Sequence, residues 1–334
     1  MLVLLTRQQI DDIQWNSLIN QSVGEYFYAL TWYLDIVSPD WKALVFLQNA
    51  KYEAVMPLPV AKLYGIAYLK QPLFCQQLGI FANPTCTVSY TKFLELLYQK
   101  FSYIAEYSFN TTNLEIATIY KNSKNDSNFR TKICNTHLVN LRQTPENIYK
   151  NYTKDRKTNL KRALSASNQV IESEDIAPLV AIFRAETEQK IKGGVDVKAY
   201  SLLQQVYETL AARQMAKLYY TIQQKNHQIT IESGVLLAFS QRKIIYLFNA
   251  GLEKYRKKNG RTLLIHHTIE KYANSNYDYF DFESPEVEEI ANFYQSFGAK
   301  AFPYLQIHYN NLPFWIEIPK KIRKLLYDSN YCKL

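Results

Sequence analysis

Short apolar runs alternate with polar stretches along the first half of the chain, a pattern that predicts strands and helices in turn. The runs Ala43–Leu47 and Ala54–Pro59 flank the polar stretch Gln48–Glu53, which predicts a β-hairpin. Farther along, Ser89–Tyr107 carries apolar residues at helical spacing and is predicted to be a helix packed on a sheet. The run Leu114–Ile119 then predicts another strand.

A polar, turn-rich stretch, Lys121–Lys132, follows this strand and is the best candidate for a linker. A boundary just after it predicts an N-terminal domain of residues 1–135 and a C-terminal domain of residues 136–334. The chain length of 334 residues agrees with this division, because it suits two domains of about 130–190 residues each.

The second half repeats the alternation more clearly. Thr136–Arg142 predicts a strand, and Thr144, a good N-cap, with Pro145 in the first turn predicts a helix that runs to about Ala166. The predicted elements that follow are helices at Pro178–Lys190 and Lys198–Gln214, strands at Ala216–Gln223, Gln228–Ser240 and Lys243–Ala250, a helix at Thr262–Asn274, a strand at Tyr277–Glu283, a helix at Pro285–Phe297 and a strand at Phe302–Tyr309. Strands interleaved with helices predict the α/β class, with a mixed sheet covered on its faces. The similar layout of the two halves indicates an internal duplication.

Hydropathy and cysteine usage favour a cytoplasmic protein. No apolar run is long enough to predict a membrane-spanning helix. The first residues, MLVLLTRQQIDD, lack the basic region and the cleavage site of a signal peptide, and predict a strand followed by a helix start. Four cysteines without metal or redox spacing are expected to be reduced thiols: Cys75, Cys86, Cys134 and Cys332.

The formal net charge of +9 is concentrated in the second half. Up to His137 there are 11 basic and 10 acidic residues, whereas from Leu138 onward there are 28 basic and 20 acidic residues. An anionic partner is therefore expected at the second half, such as a phosphate-bearing cofactor, a nucleotide-linked substrate, tRNA or a membrane surface. The alternative is a solvated basic surface without a specific partner.

Three stretches of the second half carry recognisable motifs. Tyr152–Val170 is a basic helix followed by an alanine-containing turn. Gly234–Ala273 combines two central strands, a basic loop and the helix after it. Tyr277–Ala299 is a strand ending in Asp-Phe, followed by a helix ending in Phe-Tyr-x-x-Phe-Gly. In this order and spacing they resemble the FemAB-type, BioF2-like branch of the GNAT acyltransferase superfamily. The resemblance implies two tandem GNAT-like domains, and it extends to the first half by family architecture only.

In GNAT enzymes a short basic, glycine-containing loop leads into a helix and binds the pyrophosphate of acyl-CoA, because a helix N-terminus favours phosphate. Lys257 and Gly260 match the basic residue and the first glycine of that loop, and Thr262 stands where the family usually has a second small residue. The resemblance thus implies a donor-binding loop made of Arg256, Lys257, Lys258, Asn259, Gly260, Arg261 and Thr262. The alternative is an ordinary solvated basic turn before a helix.

The resemblance also implies catalytic residues. Tyr294 matches the tyrosine that protonates the departing thiolate in many GNAT enzymes, and a phenol has a pKa suited to this step. Glu232 lies roughly where such enzymes carry a carboxylate base, and Asp281 matches an aspartate that could touch the acceptor amine. Core packing, a surface glutamate and a polar cap on the sheet are the respective alternatives.

The predicted helix after Thr144 is strongly basic, and it could face a phosphorylated acceptor or an RNA backbone. Its cations are Lys150, Lys154, Arg156, Lys157, Lys161 and Arg162. Charges on a helix opposite its apolar face are, alternatively, only solvated. His266 and His267 are adjacent and do not form an i,i+4 pair, so no metal site is predicted.

The leading hypothesis is transfer of an acyl group from acetyl-CoA or another acyl-CoA to an amine acceptor, without a metal. The acceptor could be a cell-wall or polysaccharide precursor. Two alternatives stay open: aminoacyl-tRNA as the donor in a peptidoglycan-type aminoacyl transfer, and a catalytically inactive GNAT-fold module that binds an anionic ligand or a protein.

Overall fold

Two units of α/β structure make up the chain in a computed structural model, which describes residues 1–22, 27–63, 65–121, 128–166, 169–191, 194–225, 227–284 and 286–313. The first unit contains Met1–Cys134 and the described residues from Pro303 onward. The second unit contains Asn135–Phe302. No helix among these described ranges is long and apolar enough to cross a membrane.

The first unit contains a four-stranded sheet, further strands and four helices among the described residues. Its elements are β1 Leu2–Thr6, α1 Asp12–Gln21, α2 Thr31–Val37, β2 Lys42–Gln48, β3 Lys51–Leu58, β4 Val60–Leu63, β5 Ile66–Lys70, β6 Phe81–Ala82, α3 Tyr90–Lys100, β7 Tyr103–Ser108 and α4 Ile116–Lys121, with the start of β8 Phe129–Asn140 and the end of β14 Lys300–Asn310. One sheet has the order β1-β2-β3-β6, and β7 lies between β5 and β14 in the other. The β5–β7 pair is parallel, and α3 lies in the crossover that such a pair requires.

The predicted hairpin is confirmed as β2 and β3, which pair from Lys42 with Leu58 to Gln48 with Lys51. Its turn is shorter than predicted, because only Asn49 and Ala50 lie between the strands. Both residues have positive φ, 50° and 61°, the conformation that a two-residue hairpin turn needs to match the twist of the strands.

Two predictions for the first half are wrong. The helix predicted over Ser89–Tyr107 ends at Lys100, and the residues from Tyr103 form β7. The strand predicted at Leu114–Ile119 is instead the start of α4. Periodicity cannot separate helix from strand in apolar runs this short, and pairing with distant strands decides. β7 is held between β5 and β14, partners that lie far from it in the sequence.

The linker predicted at Lys121–Lys132 falls partly outside the described residues, which omit 122–127. The last part of this prediction is wrong, because Phe129–Lys132 already belongs to the twelve-residue strand β8. Polar composition marks a turn but cannot show where the next strand begins, since β8 starts with exposed residues.

The second unit has one mixed sheet with helices packed on it. Its elements after β8 are α5 Pro145–Lys150, α6 Lys154–Ser165, β9 Gln169–Ser173, α7 Ala177–Glu186, α8 Val197–Ala212, β10 Ala216–Lys225, β11 Gln228–Phe239, β12 Lys243–Gly251, α9 Gly260–Tyr272, β13 Tyr279–Asp281 and α10 Glu288–Gln295. The strand order is β8-β13-β12-β11-β10-β9, and only the β12–β13 pair is parallel. The predicted α/β mixed sheet is confirmed.

The single helix predicted from Thr144 to about Ala166 is wrong, because it is two helices, α5 and α6. Thr144 caps α5 as predicted, and its side chain accepts a hydrogen bond from the amide of Asn147. A second cap interrupts the run: the side chain of Thr153 accepts from the amide of Arg156 and starts α6. The three central strands, α9 and the last strand are confirmed within a few residues.

The core of the second unit lies between the sheet and helices α6, α9 and α10. Its fully buried side chains include Leu160, Leu264, Ile265, Phe280, Phe282 and Phe297. Each such side chain stabilises the fold by about 1.5–3 kcal/mol relative to an exposed position. This packing holds α9 and α10 against β12 and β13.

Candidate functional site

The strands β12 and β13 separate soon after they meet. They pair only where Lys243–Ile245 faces Tyr279–Asp281, and β12 then continues alone to Gly251. Over Tyr246–Gly251, no strand among the described residues pairs with this edge of β12. The point where the two strands part and the unpaired edge of β12 beyond it are here called the fork, and this edge offers backbone groups to an extended ligand.

The first turn of α9 begins at the far end of the fork. Asn259 has a left-handed conformation, with φ 58° and ψ 35°, and the helix starts at Gly260. The amides of Gly260, Arg261 and Thr262 donate hydrogen bonds to no group among the described residues. Unpaired amides at the positive end of a helix dipole attract an anion.

Gly260 is required by its close approach to the sheet. A Cβ atom at this position would lie 2.7 Å from both Ser233 Oγ and Thr221 Oγ1. These hydroxyl oxygens are only 2.6 Å apart and form a hydrogen bond across β10 and β11. A larger residue must therefore displace α9 from the sheet.

Replacing Gly260 with alanine is expected to destabilise the protein by about 1–3 kcal/mol, the range typical of an overpacked site. Urea unfolding would measure the change. In the Gly260→Ala/Ser233→Ala double variant the serine hydroxyl is gone, so the combined effect should be smaller than the sum of the single effects. Simple additivity would contradict the assigned contact.

The loop residues that the sequence singles out come together but face different ways. Arg256 and Lys257 are exposed on a 3-10 helix, Glu253–Lys258, and Arg256 pairs with Glu253 at 3.2 Å. Arg261 is exposed on the first turn of α9. Lys258 instead turns inward, so the interpretation as an ordinary solvated turn is wrong for its side chain.

The inward partner of Lys258 is Glu232. The Nζ atom of Lys258 lies 2.5 Å from Oε1 of Glu232, whose side chain is 1% exposed. Oε2 of Glu232 has no hydrogen-bond partner among the described residues. Glu232 is the extra residue of a β-bulge, because Thr221 pairs with Ser233 and Ile222 pairs with Ile231. The alternative interpretation of Glu232 as a surface glutamate is therefore wrong.

Asp281 lies where the two strands of the fork part. It is the last residue of β13, opposite Ile245, and is completely buried. Its Oδ1 accepts hydrogen bonds from Thr136 Oγ1 at 2.5 Å and from the amide of Glu283 at 2.9 Å. Its Oδ2 has no partner among the described residues. Burial raises the pKa of this carboxyl above its usual value.

Tyr294 lies on α10 beside the fork. Its ring stacks on Phe282 with a centroid distance of 4.2 Å and an interplanar angle of 15°. Burial raises the pKa of Tyr294 to about 12, so the phenol is protonated at neutral pH. Its ring is 6.0 Å from that of Tyr246, the first residue of β12 beyond the paired segment.

Sequence reasoning missed Tyr246. Its hydroxyl is buried and has no hydrogen-bond partner among the described residues, and burial raises its pKa. A hydroxyl-bearing side chain inside the otherwise apolar run Ile244–Phe248 was the available signal. Buried hydroxyls are usually hydrogen-bonded, so an unpaired one at the fork indicates a position where a ligand can bond.

A second missed group joins β8 to the turn after β13. His137 Nδ1 lies 2.7 Å from Ser284 Oγ, and Gln295 Nε2 lies 2.9 Å from His137 Nε2. Burial lowers the pKa of His137, so its imidazole is neutral at pH 7. No local sequence signal predicts this group, because His137 and Ser284 are 147 residues apart.

The basic helix is not uniformly solvated. Lys154, Lys161 and Arg162 of α6 are exposed, as is Lys150 of α5. Lys157 lies over the ring of Tyr149. Arg156, by contrast, is buried, so the interpretation of the whole set as a solvated face is wrong for this residue. No cluster of three or more potential metal ligands occurs in the described part of the chain.

A known protein family matches the segment of the chain that contains the fork. Residues 151–288 match the family model described as the acetyltransferase (GNAT) domain, a segment that contains β11, β12, α9 and β13 with the fork. Among curated proteins, no sequence matches the chain significantly.

Solved structures share the fold over nearly the whole chain. FemX is 12% identical, with 93% of this chain and 98% of FemX covered and a TM-score of 0.67. A tandem GNAT protein from the clavulanic acid biosynthesis pathway is 8% identical, with coverages of 94% and 99% and a TM-score of 0.54. L-PGS from Bacillus licheniformis is 10% identical, with coverages of 95% and 96% and a TM-score of 0.51. At these identities the likeness concerns the fold alone. The chain therefore has a FemAB-like tandem GNAT fold, and its residues 151–288 match the GNAT acetyltransferase domain.

Proposed function

We propose that this protein is an N-acyltransferase that transfers an acyl group from an acyl-CoA, such as acetyl-CoA, to an amine. The observation that carries the proposal is the fork between β12 and β13 with the unpaired amides of Gly260, Arg261 and Thr262 at its far end. A phosphate-bearing donor with a long, narrow arm suits both features, since the amides attract its phosphates and the open strand edge pairs with its arm.

The dimensions of the fork support this arrangement. Gly251, the last residue of β12, adjoins α9: a Cβ atom on it would lie 3.7 Å from Cγ of Arg261. From Gly251 back to Ile245, where the strands meet, β12 spans six residues, or about 20 Å. An extended pantetheine arm bound along β12 would therefore carry its acyl carbonyl toward Tyr246, Tyr294 and Asp281.

Two proton transfers complete the proposed reaction, one at the acceptor nitrogen and one at the departing thiolate. The acceptor nitrogen attacks the acyl carbon, so that a C–N bond forms and the C–S bond to the donor breaks. Asp281 takes the proton that the nitrogen loses, and its raised pKa makes it a better base. Tyr294 gives its phenolic proton to the departing thiolate and recovers a proton from solvent.

Of the two buried carboxylates, Asp281 is the better placed base. The carbonyl of Glu232 accepts a hydrogen bond from the amide of Leu252, which puts Glu232 beside the loop end of β12. Asp281 pairs with Ile245 at the other end, about 20 Å away along the strand. Both cannot reach one reacting atom, and Glu232 is already paired with Lys258. We propose that Glu232 positions the donor loop instead.

Aminoacyl-tRNA is the second candidate donor. The observation that favours it is the set of exposed cations on α6 and on the 3-10 helix before α9, among them Lys161, Arg162 and Lys257. A polyanion would contact several of them at once, and its binding would weaken steeply with salt.

CoA at a concentration of 100 times its Kd is expected to stabilise the protein by about 2.7 kcal/mol, because a ligand that binds only the native state shifts the unfolding equilibrium. Thermal unfolding with CoA, with acetyl-CoA and with aminoacyl-tRNA would measure this. Release of free thiol from acetyl-CoA with a panel of amines, including amino-sugar and cell-wall precursors, would then identify the acceptor.

The outcomes separate the candidates. Stabilisation by CoA supports acyl-CoA as the donor. Stabilisation by aminoacyl-tRNA but not by CoA would replace the proposal with aminoacyl transfer. No effect of either donor would refute both and leave a GNAT-fold binding module.

A further inference from the structure

Arg156 combines burial with a charge that no acidic group neutralises. The side chain lies on α6 and is only 7% exposed. Its Nε donates to Ser296 Oγ at 2.8 Å and its Nη1 donates to Thr262 Oγ1 at 2.5 Å. The guanidinium also lies over the rings of Phe293 and Phe297, at 4.3 and 4.6 Å from their centroids.

None of these contacts supplies a negative charge. Hydroxyl dipoles and ring faces favour a cation, but no carboxylate of the described residues forms an ion pair with Arg156. Of the charged side chains that act on its pKa, Arg261 opposes the guanidinium charge and Asp155 favours it. Burial lowers the pKa of Arg156 to about 10, so the side chain is nevertheless charged at neutral pH.

A buried charge without a partner is strongly unfavourable, and proteins rarely keep one unless a ligand completes the site. The position of Arg156 indicates which ligand. Thr262, which it contacts, is in the first turn of α9, whose three leading amides have no protein partner in the described part of the chain. Nη2 of Arg156 has no hydrogen bond to any described residue either. The charge of Arg156 is therefore joined through Thr262 to the first turn of α9.

We propose that Arg156 is a binding residue for the diphosphate of the donor and completes, from α6, the site formed by the first turn of α9. This inference rests on the proposed function, since it assigns a ligand group to the same fork. It also accounts for Thr262, which stands where the family usually has Gly or Ala: its side chain is buried and accepts a hydrogen bond from Arg156. The threonine orients the guanidinium beside the amides.

Arg156 also contacts the helix that carries Tyr294, the proposed general acid. Phe293, Ser296 and Phe297 belong to α10 or the turn after it, and Tyr294 lies on the same helix. Arg156 therefore packs against the same helix that carries Tyr294.

The test compares Arg156→Met with Arg213→Met, which removes an exposed arginine at the end of α8. Three probes are titrated by calorimetry: inorganic pyrophosphate, CoA and pantetheine, which lacks phosphates. Arg156→Met is expected to weaken binding of pyrophosphate and of CoA at least tenfold and to leave pantetheine binding unchanged. Arg213→Met should bind all three as the wild type does. Arg156→Lys keeps the charge and should recover part of the affinity.

The unliganded stability gives an independent readout. Because methionine removes an unneutralised charge and fills the space between the two phenyl rings, Arg156→Met without ligand should unfold at the wild-type temperature or above it. A purely structural arginine would instead leave a less stable protein with unchanged affinity per folded molecule.

The two proposals fail in different ways. Wild-type affinity for pyrophosphate and CoA in Arg156→Met would overturn the role of Arg156 and leave the proposed function standing. Absence of CoA binding by the wild-type protein would overturn both. Should Arg156→Met fail to fold, equal affinities of Arg156→Lys, Arg156→Gln and the wild type would overturn the assignment in the same way.

Discussion

Replacing Lys258 with methionine is expected to destabilise the protein by about 3 kcal/mol, because it leaves a buried carboxylate without its counter-ion. The side chain of Glu232 is 1% exposed, and its Oε1 lies 2.5 Å from Nζ of Lys258. Its other oxygen already has no partner among the described residues, so no second donor can take over. Chemical unfolding at pH 7 would measure the loss.

Two controls isolate this ion pair. Lys257→Met removes a neighbouring exposed lysine and should change the stability by less than about 0.5 kcal/mol. Glu232→Gln in the Lys258→Met background removes the stranded charge and should restore much of the stability. Equal effects of Lys257→Met and Lys258→Met would show that the pair contributes nothing to stability.

Tyr294→Phe is expected to lower kcat for acyl transfer about 100-fold or more and to leave donor binding unchanged. The substitution removes one oxygen, while the stacking on Phe282 persists because the ring is retained. A positioned general acid contributes about 10²–10⁴-fold to the rate. A fall in kcat without a rise in KM would identify an interaction that forms in the transition state.

Tyr152→Phe is the matched control for this substitution. Tyr152 is also a buried tyrosine, and its hydroxyl contacts His266 at 3.3 Å. Its loss should leave kcat within a factor of a few. If Tyr294→Phe keeps wild-type kcat while Tyr246→Phe loses it, the acid would have to be reassigned to Tyr246, the other phenol at the fork.

The failed predictions have two physical causes. Thr144–Ala166 divides into α5 and α6 at a local signal, the cap at Thr153. In Ser89–Tyr107 the spacing of apolar residues continues past the end of α3, although the last residues form β7. Local patterns show that a segment has a buried face, but a distant partner determines which structure buries it.

Some residues of the candidate site were predicted from the sequence, and others were not. Sequence motifs located the loop before α9, Tyr294 and Asp281, because short signals carry them. Composition could not show which cations are exposed and which are paired or buried. Lys258 is paired with Glu232, and Arg156 is buried and donates a hydrogen bond to Thr262. No sequence motif marks Tyr246 or the contact between His137 and Ser284.

The sequence by itself determined the α/β class, the order of strands and helices from Ala216 onward and the basic loop that enters α9, since each depends on residues close together in the chain. Only the tertiary structure decided where β12 and β13 part and which charges are paired. Arg156 and Thr262 are 106 residues apart, and Glu232 and Lys258 are 26 apart. Burial and charge pairing arise when such distant residues meet in one fold, because solvent exclusion is a property of the packed chain and not of any local segment.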